Sequence, residues 1–214
     1  MSATEAKVTT RTATTMAARL RAAEAHLRLA DPVMARLIAA HGPCRLGEAR
    51  LPPFRRLALA IISQQLSTRA AATIAGRVRD SVGGALTPAR ILAAPPGALR
   101  AAGLSHAKAR YLVELGRRVA ARELDFAALS ARSDAEVIEA LTELPGVGRW
   151  TAEMFLIFGL QRLDVLSQGD AGLRRAARSL YPDDIFAELA RRWQPYCSVA
   201  CWYLWRHLEA QPPA

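Results

Sequence analysis

The chain has 214 residues, of which 51% are hydrophobic, enough for a buried core in one domain or in two small lobes. No stretch of 18 residues is both apolar and uncharged, which excludes a membrane-spanning helix. The formal net charge of +10 favours a polyanionic partner such as a nucleic acid, and a merely basic surface is the alternative.

The N-terminal part of the chain predicts a tail followed by two helices. Residues 1–15 are rich in alanine and threonine and lack the apolar core of a secretory signal, so we expect a disordered tail on a cytoplasmic protein. Apolar residues at helical spacing from Met16 to Leu27 indicate a helix over 15–29. Asp31-Pro32 is a typical cap and first residue of the next helix.

The rest of the chain also predicts helices. The predicted ranges are 54–66, 68–82, a short helix after Thr87, 97–101, 105–122, a short helix after Asp125, 133–142, 149–158, 170–180, 184–193 and 197–208. Ser133 and Glu136 form a capping box at the start of one of them. Since no stretch shows the two-residue alternation of a strand, the sequence predicts an all-α fold.

The segment Leu144-Pro145-Gly146-Val147-Gly148-Arg149-Trp150-Thr151-Ala152 joins two of the predicted helices. Pro145 ends the first helix because it lacks an N–H donor. Gly146 and Gly148 permit a positive φ and leave bare N–H groups beside a helix N-terminus, an arrangement that suits a phosphate oxygen. An ordinary turn between two helices is the alternative.

The cysteines do not predict a disulfide framework. Cys44, Cys197 and Cys201 are odd in number and form no C-x-x-C pair. Cys197, Cys201 and His207 are too few and wrongly spaced for a structural zinc site, which needs four ligands. We therefore expect buried thiols, no metal site formed by side chains, no iron–sulfur cluster and no other cofactor.

Three blocks lie in a fixed order along the chain. They are residues 53–67, which end in Ser63-Gln64-Gln65-Leu66-Ser67; residues 144–152, followed by Asp164-Val165 and Gly169-Asp170; and residues 192–198, which lead to Tyr203-Leu204-Trp205. Together they resemble the helix-hairpin-helix DNA glycosylases, specifically the 3-methyladenine DNA glycosylase II branch. The resemblance covers about residues 20–210. It departs at Cys197, where the family often has an arginine.

The resemblance implies a domain over 16–214 made of two helical lobes, with the active site in the cleft between them. The central lobe would run from about 53 to 163. Segments 16–52 and 164–214 would form the second lobe.

The resemblance also implies a catalytic carboxylate and a base pocket. Cleavage of an N-glycosidic bond builds positive charge on the sugar, which a fixed carboxylate stabilises while it orients or deprotonates the attacking water. Asp170 matches this carboxylate; taken alone it predicts a helix N-cap, and both roles are compatible. Trp150 and Trp205 match tryptophans that stack on a flipped base, and Met154 would face the same pocket. Core packing is the alternative for these three.

Further residues match the DNA contacts of the family. Gln65 aligns with the wedge that fills the gap left by the flipped base, and an exposed helix end is the alternative. The implied DNA contacts are Gln65, Gly146, Gly148, Arg149, Ser105 and Lys108, the last two in a second phosphate-facing turn. A monovalent cation on the main-chain oxygens of Thr142, Leu144 and Val147 is also implied, as a bridge to phosphate.

The activity implied by the resemblance is that of a monofunctional DNA N-glycosylase that excises alkylated purines, 3-methyladenine and 7-methylguanine above all, and so initiates base excision repair. Its partner would be double-stranded DNA with damaged bases, and the protein would be a monomer on the nucleoid in a bacterial cytoplasm. Two alternatives stay open. A bifunctional glycosylase/AP lyase needs a lysine where this chain has Trp150. A non-catalytic helix-hairpin-helix DNA-binding module leaves Asp170 and the two tryptophans unexplained.

Overall fold

The computed structural model describes residues 3–48 and 50–211, and for residues 3–15 and 68 it describes the backbone alone. Every regular element in these ranges is an α-helix, which confirms the predicted all-α class. None of these helices is long and apolar enough to cross a bilayer. The helices are α1 (Ala3–Ala30), α2 (Pro32–His41), α3 (Pro53–Ser63), α4 (Thr68–Ser81), α5 (Pro88–Leu92), α6 (Ala98–Ala101), α7 (His106–Ala120), α8 (Phe126–Ser130), α9 (Asp134–Thr142), α10 (Arg149–Phe158), α11 (Ala171–Leu180), α12 (Phe186–Trp193) and α13 (Cys197–Glu209).

The helices form two compact units. The central unit comprises Leu51–Leu160 and contains α3 to α10. The terminal unit comprises the described residues up to Arg50 and from Gln161 onward, with α1, α2 and α11 to α13. The lobe boundaries predicted from the sequence, 53 and 163, lie close to those of the central unit.

The first helix is longer than the sequence predicted. It begins at Ala3, whereas we expected a disordered tail over residues 1–15 and a helix start near residue 15. The segment from Ala3 to Thr15 contains neither glycine nor proline, so no residue in it ends a helix. The first two residues of the predicted tail lie outside the described residues.

Two other helix ends differ from the sequence prediction. Helix α3 ends at Ser63, short of residue 66, because the backbone of Gln64 is extended with φ −51° and ψ 132°. Helix α12 begins at Phe186 instead of Asp184. The Asp184 carboxylate accepts a hydrogen bond from the Arg192 guanidinium and does not cap α12.

The central unit is built around the apolar faces of α3, α7 and α10, and α3 packs against both of the other two helices. Leu57, Leu112 and Leu156, one from each of these helices, are completely buried. The Ser133–Glu136 capping box is present at the start of α9, as predicted. Burial of these apolar faces stabilises the helices that carry the turns described below.

In the terminal unit, the buried carboxylate of Asp31 joins three helices. Oδ1 accepts hydrogen bonds from the backbone N–H groups of Val33 at 2.8 Å and Met34 at 3.2 Å. Asp31 therefore caps α2, as the sequence predicted. Oδ2 accepts from the Tyr181 hydroxyl and from Nε1 of Trp193, both at 2.9 Å. Burial, together with the negative charge of Asp31, raises the pKa of Tyr181, so this hydroxyl stays protonated and donates.

All three cysteines are buried free thiols, as the sequence predicted. Burial raises the pKa of Cys44 to about 12. The pKa of Cys197 is also raised, chiefly by burial and then by a hydrogen bond with Asp164. These groups are therefore protonated and poorly nucleophilic near neutral pH.

Replacing Asp31 by alanine is expected to lower the free energy of unfolding by roughly 3–5 kcal/mol, since it removes a cap and leaves two buried donors without an acceptor. Urea denaturation followed by circular dichroism measures this loss. The control Asp183→Ala, at an exposed position, should change the value by less than about 0.5 kcal/mol. Equal losses in the two variants would contradict the role given to Asp31.

Candidate active site

The hairpin between α9 and α10 (residues 143–148) uses its two glycines for different reasons. Gly146 has a φ of 81°, and a Cβ placed on it would lie 2.1 Å from Cδ2 of the Tyr111 ring. Gly148 is the cap of α10 with a φ of −91°, and a Cβ on it would meet nothing within 4 Å. The backbone at Gly148 is thus open to an approaching group, while Gly146 is required by the fold itself.

The carbonyls predicted to hold a monovalent cation belong to the same hairpin. The main-chain oxygen of Leu144 accepts from the N–H of Val147 at 3.0 Å, and one of its two lone pairs remains. The Thr142 hydroxyl donates to the oxygen of Glu139 at 2.9 Å. The Leu144 oxygen is of the kind that coordinates a monovalent cation, and the cation site on the main-chain oxygens of Thr142, Leu144 and Val147 stays a prediction.

A tight turn follows α3, and we call residues 63–66 the glutamine turn. Gln64 has φ −51° and ψ 132°, and Gln65 has a φ of 56°. The N–H of Leu66 donates to the oxygen of Ser63 at 3.1 Å. These angles and this hydrogen bond resemble a type II turn, in which the third residue is normally glycine.

Gln65 is therefore an exposed side chain in a left-handed backbone conformation that a glycine adopts without strain. Such a conformation costs a non-glycine residue on the order of 1–3 kcal/mol, and strained residues of this kind cluster at functional sites. The strain is consistent with a side chain that has to project from the surface at this position. The wedge role of Gln65 stays a prediction.

The neighbouring Gln64, which we did not select from the sequence, joins the glutamine turn to the hairpin. Its Nε2 donates to the main-chain oxygen of Gly146 at 2.7 Å and to Oγ1 of Thr151 at 3.3 Å. The one available sequence signal was a pair of amides at the end of an apolar helix. That signal does not reveal a contact with a segment so far along the chain.

Lys108 holds the other side of the glutamine turn. Its Nζ donates to the main-chain oxygens of Ile62 at 2.8 Å and Gln64 at 2.5 Å. These two contacts leave one of the three ammonium donors for a phosphate. Burial lowers the pKa of Lys108. Ser105, the other residue predicted in the second phosphate-facing turn, caps α7 by accepting from the N–H of Lys108 at 3.2 Å.

Arg149, a predicted phosphate contact, is anchored at the start of α10. Its Nε donates to Oε1 of Glu153 at 2.9 Å. The Arg149 side chain is 76% exposed, whereas that of Glu153 is only 5% exposed. The buried Glu153 carboxylate thus holds the exposed Arg149 guanidinium in place next to the hairpin.

Two of the residues predicted to bind the base line a mostly apolar pocket in the central unit. Its volume is about 370 Å³. Trp150 and Met154 line it, together with Phe155, Phe158 and apolar residues of α3 and α4; Arg56 and Ser63 are the polar residues of the lining. Trp150 is 42% exposed, so core packing alone does not explain its position. A pocket of this composition suits a planar, weakly polar group.

In the terminal unit, the structure brings Asp170 and Trp205 together. Oδ1 of Asp170 accepts from the N–H of Leu173 at 2.7 Å, so this residue caps α11. Nε1 of Trp205 also reaches Oδ1, at 3.4 Å. The nearby Gly172, which the sequence analysis missed, leaves space here, because a Cβ on it would lie 3.1 Å from this same oxygen. The sequence signal that could have identified Gly172 is a glycine inside a predicted helix.

A second carboxylate near the start of the terminal unit's C-terminal segment, Asp164, has a structural contact. Its Oδ1 accepts from the N–H of Cys197 at 3.2 Å, at the start of α13. The Cys197 thiol donates to the oxygen of Ala190 at 3.7 Å. The position where the family often has an arginine is thus filled here by a buried thiol.

The predicted site residues fall into two groups. Asp170 and Trp205 belong to the terminal unit, while Trp150, Met154, the glutamine turn and the hairpin belong to the central unit. Within each unit the predicted neighbours lie together. Their meeting in one cleft stays a prediction.

Comparison with known proteins identifies the family. The family model described as "HhH-GPD superfamily base excision DNA repair protein" matches residues 58–191, and the chain belongs to this superfamily. It is similar to the DNA-3-methyladenine glycosylase of Saccharomyces cerevisiae, at 32% identity over 194 residues. That match covers 72% of this chain, and the chain spans 66% of the length of the yeast protein.

Two solved structures share the fold. DNA-3-methyladenine glycosidase from Bacillus halodurans has a TM-score of 0.75 and 40% identity, over 86% of this chain and 88% of its own. The 3-methyladenine DNA glycosylase of Schizosaccharomyces pombe, in complex with abasic DNA, has a TM-score of 0.76 and 30% identity. The latter match covers 90% of this chain and 98% of that chain.

Replacing Gly146 by alanine is expected to lower the free energy of unfolding by roughly 2 kcal/mol or more, because the new Cβ would strain the backbone and overlap the Tyr111 ring. The matched control is Gly148→Ala, which loses the preference for glycine over alanine at the N-cap of α10 and should cost about 1 kcal/mol or less. Urea denaturation of both variants measures the difference. Equal stability of the two would show that the hairpin accommodates a side chain at either position.

Proposed function

We propose that this protein is a monofunctional DNA glycosylase that hydrolyses the N-glycosidic bond of alkylated purines, above all 3-methyladenine and 7-methylguanine, and so initiates base excision repair. The names of its relatives support this substrate class. The relative from Schizosaccharomyces pombe is bound to abasic DNA, the product of such a reaction.

The placement of Asp170 carries the proposal. Its carboxylate is held at the N-terminus of α11 by the N–H of Leu173 and lies beside the indole of Trp205. As the bond between C1′ and the base nitrogen breaks, its electron pair leaves with the base and the sugar becomes cationic. Asp170 stabilises this charge and orients a water molecule, whose oxygen bonds to C1′ as one of the water protons passes to the Asp170 carboxylate.

The aromatic residues suit a cationic base. Alkylation at a ring nitrogen makes the purine positively charged and therefore a better leaving group. Stacking on Trp150 or Trp205 adds a cation–π attraction of roughly 0.5–2 kcal/mol per contact. The lining of the pocket beside Trp150 and Met154 is mostly apolar, with Arg56 and Ser63 as its polar side chains. We therefore propose that substrates are selected by charge and lability as much as by shape, with neutral hypoxanthine slower and oxidised purines untouched.

The lysines argue for a monofunctional reaction. A glycosylase/AP lyase forms a Schiff base through a lysine amine, and this chain has Trp150 at the position where those enzymes carry it. The sequence contains two lysines, Lys7 and Lys108. The Lys108 ammonium donates to two main-chain oxygens. The product should therefore be an intact strand with an abasic site.

The DNA partner is proposed from charge and from the hairpin. Phosphates would be bound by the N–H groups of Gly146 and Gly148 and by Arg149, contacts that carry no base sequence information. A net charge of +10 adds non-specific attraction to the backbone. We propose that the protein acts as a monomer on damaged double-stranded DNA of the nucleoid, in a bacterial cytoplasm.

The experiment that tests this function is release of free bases from DNA treated with a methylating agent, measured by chromatography. Wild-type protein should release 3-methyladenine and 7-methylguanine. Asp170→Asn keeps the shape and a possible cap but removes the negative charge, so single-turnover release should fall at least about a hundredfold while DNA binding is retained.

The matched control is Asp164→Asn, which changes a carboxylate of the same unit that contacts a backbone N–H. Its release rate should stay within a few-fold of wild type. Near-normal turnover by Asp170→Asn would refute the catalytic assignment. Release of uracil or 8-oxoguanine alone would refute the substrate class.

A further inference from the structure

We propose that Gln64 and Lys108 are positioning residues that hold Gln65 in its projecting conformation and tie it to the hairpin. A phosphate bound by the hairpin would then fix where the Gln65 side chain enters the duplex. The inference rests on the proposed function, since it concerns how the protein recognises a site that has lost its base.

The contacts form a continuous link through the central unit. From one side, the Gln64 side chain donates to the Gly146 oxygen and to Thr151 Oγ1, at 2.7 and 3.3 Å. From the other side, Lys108 Nζ donates to the oxygens of Ile62 and Gln64, at 2.8 and 2.5 Å. The C-terminal end of α3, the hairpin and the start of α7 are thereby connected through one turn.

The link explains how the backbone of Gln65 keeps an unfavourable conformation. Gln65 occupies a left-handed conformation with a φ of 56°, and non-glycine residues keep such a conformation only where surrounding contacts determine it. The backbone of Gln64 is held through its own oxygen, and its side chain is held by the hairpin. Without these contacts the turn can relax to a type I geometry, which needs no positive φ and directs Gln65 elsewhere.

Lys108 therefore has a different task from a surface arginine. A positive charge that only attracts phosphate strengthens binding to every duplex, damaged or not. A residue that positions Gln65 matters only where there is a gap to fill. Arg110 lies on the same helix and is exposed, so it serves as the matched charge control.

The test uses the intact protein and two duplexes of the same sequence, one undamaged and one with a tetrahydrofuran abasic-site analogue opposite 2-aminopurine. The ratio of the two dissociation constants defines the abasic preference. Gln64→Met keeps the side-chain length, Lys108→Met shortens it by one atom, and both changes remove the donors. Each should lower the abasic preference about tenfold, the effect of losing one or two hydrogen bonds, and should abolish the fluorescence change of 2-aminopurine seen with wild type.

Two further variants separate positioning from other effects. Arg110→Met should weaken binding to both duplexes equally and leave the abasic preference unchanged. In a double-mutant cycle, Gln64→Met should cost little abasic preference when Gln65 is already alanine, because both changes remove the same interaction. Should Gln64→Met fail to fold, Thr151→Val, which removes one acceptor of the same amide, replaces it.

The proposal is overturned if Lys108→Met behaves like Arg110→Met, or if the losses in the double-mutant cycle simply add. These outcomes are independent of the proposed chemistry, because the binding assay involves no base release. A wild-type protein that prefers abasic DNA but releases no alkylated base would refute the proposed function and leave the positioning role standing.

Discussion

The conformation of Gln65 is the constraint on which the glutamine turn and its link to the hairpin depend. A residue with a side chain stands where a type II turn normally has glycine, at a φ of 56°. The turn keeps this shape because Gln64 is bonded to the hairpin and Lys108 to the end of α3. Relief of the strain by local rearrangement would break these contacts. The proposed wedge and the hairpin proposed to bind phosphate are therefore parts of one hydrogen-bonded arrangement.

In the terminal unit, Asp170 has a role in the fold and a role in the proposed chemistry. Both roles use the same carboxylate oxygen, Oδ1. The hydrogen bond from Leu173 caps α11 and fixes the orientation of the carboxylate. The helix N-terminus also favours negative charge at this position. The absence of a side chain on Gly172 keeps the space beside that oxygen open. The sequence analysis gave Asp170 two compatible roles, helix cap and catalytic carboxylate, and the geometry accommodates both.

The sequence predicted what is encoded locally. The Asp31 cap, the Ser133–Glu136 capping box and the hairpin all depend on residues within a few positions of each other, where spacing alone carries the signal. The hydrogen bond from Gln64 to Gly146 joins residues 82 positions apart, and no local sequence pattern predicts it. For the same reason α3 was predicted to run on through Gln64, whose extended backbone is stabilised by long-range contacts that helix periodicity does not show.

The central claim is that strain at Gln65 is retained for recognition of damaged DNA, and one comparison tests it directly. Urea denaturation and binding to abasic and undamaged duplexes are measured for wild type, Gln65→Gly and Gln65→Ala. Gln65→Gly should stabilise the fold by about 1 kcal/mol, since glycine adopts this φ without strain, and Gln65→Ala should not. Both variants should lose most of the preference for abasic DNA. A glycine variant that is no more stable than wild type, or that still prefers abasic DNA, would contradict the account.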